Sequence, residues 1–137
     1  MKYFICELDN IFLGIASEQI QRIIPVSGLR VNVLETENED AFISIPALFC
    51  QKGNAIHGLI LKKSLSGLPG KTTLLTPGID MDIELPEDNI SRLPGVFTGI
   101  FSLFKGACFT EDGNKMILIL DLEKLTDKLA SAVCLKH

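Results

Sequence analysis

The sequence predicts a mainly β domain, a barrel or sandwich of about nine or ten short strands with short helical turns and a C-terminal helix. Three observations carry that expectation. Runs of four to eight β-branched, aliphatic and aromatic residues recur along the chain, separated by Gly, Pro, Asn and Asp clusters. The stretch "KMILILDLEKL" is apolar at every position from Met116 to Leu120, so a strand there must be buried on both faces. Hydrophobic residues make up 47% of the 137 residues, yet no run approaches the ~20 apolar residues of a spanning helix, so the apolar excess goes into strands. A chain of this length reads as one domain, residues 1–137, able to build its own core.

Each element follows in order. "KYFICEL" (2–8) and "IFLGIA" (11–16) are strand-like runs joined by Asp9-Asn10, a two-residue hairpin signal. Ser17 is placed to cap "SEQIQRII", where Ile20, Ile23 and Ile24 give helical spacing before Pro25, which predicts a helix of about two turns. "LRVNVL" (29–34) alternates as a strand with one wet face, and the acidic "ETENED" (35–40) reads as a loop. "AFISIPALF" (41–49), "IHGLILKK" (56–63) and "TTLLTP" (72–77) are strands, the last two separated by a Gly- and Pro-containing turn. In 79–85, Ile79, Met81, Ile83 and Leu85 face one way and Asp80, Asp82 and Glu84 the other. Pro86 opens a short helical turn through Asn89. "VFTGIFSLF" (96–104) and "GACF" (106–109) are strand-like, and Asp112-Gly113 signals a hairpin into the apolar run at 116–120. Asp121 can cap a helix in which Leu122, Leu125, Leu129 and Val133 form one stripe. No internal repeat is visible.

The chemistry search narrows the function classes. There is no glycine-rich nucleotide loop, no nucleophile elbow and no zinc-protease motif, and the reading is of a protein that is not an enzyme. Cys6, Cys50, Cys108 and Cys134 are far apart in sequence and lie in or beside apolar runs, as reduced core or near-core thiols would. The only histidines are His57 and His137, too few to expect a zinc site. A pairing of His57 with Cys6 or Cys50 is the weaker enzymatic alternative. The row Asp80, Asp82, Glu84, with Glu87 and Asp88 behind it, reads as a solvated strand face, since no glycine-bearing calcium loop frames it. No cofactor is expected. The formal charge of −4 and the single basic pair Lys62-Lys63 argue against nucleic acid as a partner. Glu7 and Asp9 interrupt the N-terminus before a signal-peptide core can form, so the chain reads as cytoplasmic, with no direct membrane insertion.

Two stretches carry a family resemblance. "FICELDNIFLGIASEQIQRII" resembles the opening of the CheW-like chemotaxis coupling domain. "LPEDNISRLPG" and "LFKGACFTEDGNKMILILDLEKL" resemble its closing pattern of a Pro-Glu turn, a central glycine, an acidic hairpin turn, an apolar strand and a helix start. The resemblance implies two small SH3-like five-stranded β-barrels packed together and completed by the C-terminal strand and helix. It also implies a non-enzymatic adaptor linking a CheA-type histidine kinase, through its regulatory domain, to the cytoplasmic tips of chemoreceptors. A stand-alone β-barrel module that binds a small ligand or another signalling protein is the alternative. By the same resemblance Ile20, Arg22 and Ile24 lie where the family presents an apolar groove to a receptor helix, and the strands near 56–85 map to the kinase side. One departure is specific. Where the family carries Asn-Leu-Arg-Gly before an Ile-Pro-Val-Val-Asp-Leu strand, this chain has Asn38, Glu39 and Asp40 before "FISIPAL", with Ser44 at the proline position and Ala47 at the aspartate position. Acids replace the basic residue, which makes Glu39 and Asp40 candidates for an altered partner contact. The short connection after the first helix further implies a trimmed first barrel.

Overall fold

The computed structural model describes residues 1–8, 11–27, 32–49, 54–65, 67–91, 103–109 and 115–135, with side chains described through residue 130 apart from that of Met81. The chain divides into two compact units, Met1–Glu18 with Ile79–Leu122, and Gln19–Gly78 with Glu123–His137. Each holds one five-stranded sheet.

The first unit contains β1 (Lys2–Leu8), β2 (Ile11–Ala16), β8 (Ile79–Glu84), β9 (Phe104–Phe109) and β10 (Met116–Leu120), in the order β8-β1-β2-β10-β9. β1 and β2 form the expected hairpin, with Leu8 opposite Ile11. The turn residues Asp9-Asn10 lie outside the described residues, as do Asp112-Gly113, Cys50 and the run 96–102. β9 and β10 pair antiparallel, with Met116 opposite Phe109, and Lys105 falls inside one strand where a break was expected. β10 then runs parallel to β2, placing Ile119 beside Gly14. A Cβ at position 14 would come within 2.8 Å of Ile119 Cδ1, so the absent side chain is what lets these strands approach with isoleucine between them.

Burial explains the apolar run in β10. Ile117 and Ile119 join Tyr3, Ile5, Phe12, Ala16 and Cys108 in one core cluster, while Leu118 and Leu120, which alternate to the opposite face, are buried as well. Only Met116, at the strand's start, is substantially exposed. Tyr3 and Cys108 stand three strand steps apart, about 14 Å on a flat sheet, yet share a cluster, so the sheet is strongly coiled. Its ends meet through one bridge: the chain leaves β8, makes a 3-10 turn at Glu87–Asn89, one residue later than Pro86 suggested, and Ser91 exchanges two backbone hydrogen bonds with Ala107 on β9 (2.8 and 2.9 Å). Gly106 permits this, because a Cβ there would lie 2.6 Å from Ile90 Cγ2 and 2.9 Å from the Ser91 carbonyl oxygen. Beyond this bridge no further ladder joins the ends of either five-stranded sheet among the described residues.

The second unit contains β3 (Ile20–Pro25), β4 (Leu34–Glu37), β5 (Asp40–Ser44), β6 (His57–Leu61) and β7 (Thr72–Thr76), in the order β3-β6-β7-β5-β4. Four expectations are corrected here. The helix at Ser17 is a single 3-10 turn, Ser17–Gln19, followed by β3; the β-branched isoleucines pair with β6, and Ser17 Oγ donates to the Lys2 carbonyl instead of capping. The strand expected at 29–34 begins only at Leu34, Leu29 to Val31 lying outside the described residues. The acidic "loop" is a hairpin: Glu37 opposes Asp40 around Asn38 and Glu39, both left-handed (φ 52° and 73°), the signature of a type I′ turn. The strand expected at 41–49 stops at Ser44, which accepts a hydrogen bond from the Ala47 N–H (3.3 Å) and caps the short helix α1 (Ile45–Leu48), with Pro46 in its first turn. Each sheet has five strands, and the connection on which the trimmed-barrel expectation rested lies partly outside the described residues, at 28–31.

α2 (Leu122–Leu135) follows Asp121 directly. Within the second unit its Leu129 and Ala130 pack with Ala41, Leu65, Leu34 and Leu68. Leu122 and Leu125 are buried as the stripe required, and Val133 and Cys134 lie outside the described side chains. Among the described residues no helix is long and apolar enough to cross a membrane.

Candidate functional site

The described residues offer little catalytic geometry. Asp80, Asp82 and Glu84 line the exposed side of β8, Glu84 lies 4.0 Å from the N-terminal ammonium, and no three acidic, His or Cys side chains gather as a metal site among the described residues. Cys6 is fully buried, and burial, aided by the Asp80 charge, pushes its thiol up to about 12, the reverse of an activated nucleophile. Burial likewise raises the Cys108 thiol. His57 stands half-buried between Pro25 and Thr76 in the sheet, its carbonyl accepting from Thr76 Oγ1 (3.4 Å).

The second unit instead presents a surface suited to protein contact. Among the described residues β3 pairs only with β6, and Gln21, Arg22, Ile23 and Pro25 are exposed. Opposite residues of an antiparallel pair share a face, so Ile24, across from Gly58, lies on the side that also carries Arg22, across from Ile60. Gly58 makes room there: a Cβ would meet Val26 Cγ1 at 3.1 Å and Ile24 Cγ1 at 3.2 Å. Val26 donates its N–H to the Ile56 carbonyl (3.0 Å), which brings Ile56, 54% exposed, beside them. Ile24 and Val26 are half-buried there, and Ile60, across from Arg22, is buried, so this face is open only at Arg22 and at Ile56.

Of the sequence candidates, this face brings together Arg22 and Ile24. Ile20, on the same strand, is 7% exposed and belongs to the core. Glu39 and Asp40 sit elsewhere, at the hairpin on the far edge of the sheet. Glu39 is exposed at the turn tip, whereas the Asp40 carboxylate accepts the Lys71 N–H (2.8 Å) and ties the hairpin to the segment before β7, a structural task. Gly70 packs against this tie, with no room for a Cβ beside the Glu39 carbonyl and Asp40 Oδ1. The Ser44 and Ala47 positions matched to a family strand are a helix cap and a helical residue. The strands near 56–85 that the resemblance maps to the kinase side fall in both units, β6 and β7 in one and β8 in the other. Ile56 was missed, although Gly58 two residues later marked a close approach within a strand pattern.

No family model matches this sequence, and no curated protein matches it. Solved structures do. The crystal structure of the scaffolding protein TtCheW from Thermoanaerobacter tengcongensis superposes with a TM-score of 0.64 at 18% identity, covering 87% of this chain and 82% of that one. The fold is CheW-like. The CheW-like fold accounts for the two five-stranded sheets and for the strand pattern at both ends of the chain, where the sequence resemblance lay.

Proposed function

We propose that this chain is a non-enzymatic scaffold of chemotaxis-type signalling, coupling a CheA-type histidine kinase, through its regulatory domain, to chemoreceptor tips or a related two-component assembly. The observation that supports this most is the CheW-like fold over 87% of the chain, shared with a scaffolding protein. Exposed Arg22 and Ile56 beside half-buried Ile24 and Val26 support it further, because an adaptor needs apolar anchors beside charge at a surface and no catalytic groups. In this reading Arg22 and Ile24 contact the receptor side, joined by Ile56, and Ile20 supports the strand from the core. Glu39 stands where the family's basic segment is expected and weakens attraction to partners that a basic residue would hold.

The test is calorimetric titration of the folded protein with the regulatory domain of the CheA-type kinase from the same organism, with Glu39→Arg alongside. Binding with a micromolar Kd is the expected result, and Glu39→Arg is expected to leave kinase binding unchanged while tightening receptor association about fivefold or more. Absence of binding with a folded sample would overturn the adaptor reading. The acidic hairpin would then favour the second reading, a β module of the same fold serving another signalling protein.

A further inference from the structure

β4 ends the second sheet, and among the described residues it pairs only with β5. The turn fixes the direction of its backbone groups. A type I′ hairpin hydrogen-bonds the two residues that flank it, so Glu37 bonds to Asp40, and every second residue of β4 repeats that direction. The Val33 carbonyl, which accepts the Ser44 N–H (2.8 Å), continues the series. Leu34 and Thr36 therefore turn their N–H and C=O groups away from β5, toward the edge, where Thr36 and Glu37 are exposed. Such an edge is a template for one more strand unless its side chains forbid it.

The side chains select which strand. Glu35 lies across from Phe42 and Glu37 across from Asp40, so three acids share one face of the hairpin, and no Lys or Arg occurs from Asn32 to Ser44. On the other face Leu34 packs against the cluster of Ala41, Leu65 and Ala130. An added strand would thus place alternate residues beside acids on one face and beside an apolar border on the other. A second copy of this chain fails that requirement. The antiparallel register that uses both outward residues, Leu34 opposite Thr36, sets Glu35 against the same residue of the copy, and like charges directly opposite destabilise a pair.

We propose that β4 is a docking edge for an extended segment of a partner protein, with Lys or Arg at alternate positions and apolar residues between them, which adds to the second sheet as a sixth strand. Main-chain hydrogen bonds to Leu34 and Thr36 hold the segment, and the basic residues beside Glu35 and Glu37 decide which segments bind and in which register. β4 and β3 stand at opposite ends of the strand order, so this edge is separate from Arg22, Ile24 and Ile56 and does not rest on the adaptor reading.

The probe is a synthetic peptide of about seven residues, blocked at both ends, in which lysine and valine alternate. One control carries glutamate for lysine. Two more keep every side chain of the probe but are N-methylated at all valines or at all lysines, which removes the donors of one peptide edge or the other. Fluorescence anisotropy with the full chain should show the lysine peptide binding at least about tenfold tighter than the glutamate peptide, with the preference shrinking at high salt. One of the two N-methylated peptides should bind at least about tenfold more weakly than its parent. Thr36→Pro, which deletes an outward N–H and spares the bonds to β5, should weaken the lysine peptide to a similar degree, and Glu35→Lys with Glu37→Lys should make the glutamate peptide the tighter binder. Thermal unfolding confirms that each variant is folded, and the N-methylated peptides test the same hydrogen bonds on the unaltered protein. No binding by the folded chain, no preference between lysine and glutamate peptides, or full binding by both N-methylated peptides overturns the proposal. So does self-association that Thr36→Pro abolishes, which would make a second copy the occupant.

Discussion

The two sheets follow one pairing plan with different wiring. In the first, the hairpin β1/β2 lies at the centre, β8 flanks β1, and the hairpin β9/β10 joins through the parallel pair β2 and β10. In the second, β6/β7 is the central hairpin, β3 flanks β6, and β4/β5 joins through the parallel pair β7 and β5. Along the chain the first runs central hairpin, flanking strand, joining hairpin, and the second runs flanking strand, joining hairpin, central hairpin. Each is a cyclic permutation of the other. The pairing plan is therefore set by which strands can seal each other's backbone groups, and chain order is secondary to it.

The sheets differ at the parallel seam. The second packs Ile43 beside Leu74, two full side chains, whereas the first sets Ile119 beside Gly14. Ile43→Ala is expected to cost the most, about 2–5 kcal/mol in denaturant unfolding, because a fully buried branched side chain leaves a cavity that the seam cannot close. At the glycine seam the opposite change does the damage. Gly14→Ala should cost about 1–3 kcal/mol by overpacking. In an Ile119→Val background, which removes the Cδ1 atom that the new methyl meets, most of that cost should vanish, with a coupling of about 1 kcal/mol in the double-mutant cycle. Additive costs would show that the seam relaxes elsewhere.

A third difference is titratable. Only the first sheet carries described cysteines, and burial, with the Asp80 charge behind it, pushes the Cys6 thiol from its ordinary value of 9.0 up to about 12. A folded pKa above the unfolded one contributes stability that is fully present below pH 9 and is lost as pH rises toward 12. Unfolding free energy should thus fall across that window in the wild type and fall less in Cys6→Ala, measured relative to each protein's value at pH 8. The smallest effect lies at the hairpin tip of the second sheet. Glu39→Gly should stabilise the protein by about 0.5 kcal/mol, since glycine accepts the left-handed turn that strains glutamate. A loss would mean that the glutamate side chain contributes more than its backbone strain costs.

Much of the fold was legible in local pattern. The hairpins β1/β2 and β9/β10, the β6, β7 and β8 runs, the doubly buried β10 and the C-terminal helix follow from alternation, turn residues and unbroken apolar stretches. The misreadings cluster where two periods compete. "IQRII" satisfies helical spacing and β propensity alike, and the open face of β6 decided for the strand. "ISIPAL" contains strand formers, but Ser44 and Pro46 carry the stronger helix-start chemistry. For the candidate site, Arg22 and Ile24 were found and Ile56 was not, because its role depends on a neighbour 30 residues away in sequence, Val26, meeting it across a ladder.

By itself, then, the sequence determined which segments extend, which faces are apolar and where the chain turns, since these follow from side-chain period and backbone stereochemistry within a few residues. Only the tertiary structure decided which strands run parallel, that a bridge at Ser91 brings the ends of the first sheet together, that Asp40 holds Lys71, and that Val26 meets Ile56 across a ladder. Those are pairings between distant segments, where backbone hydrogen bonding and shape select one partner among several of equal local propensity.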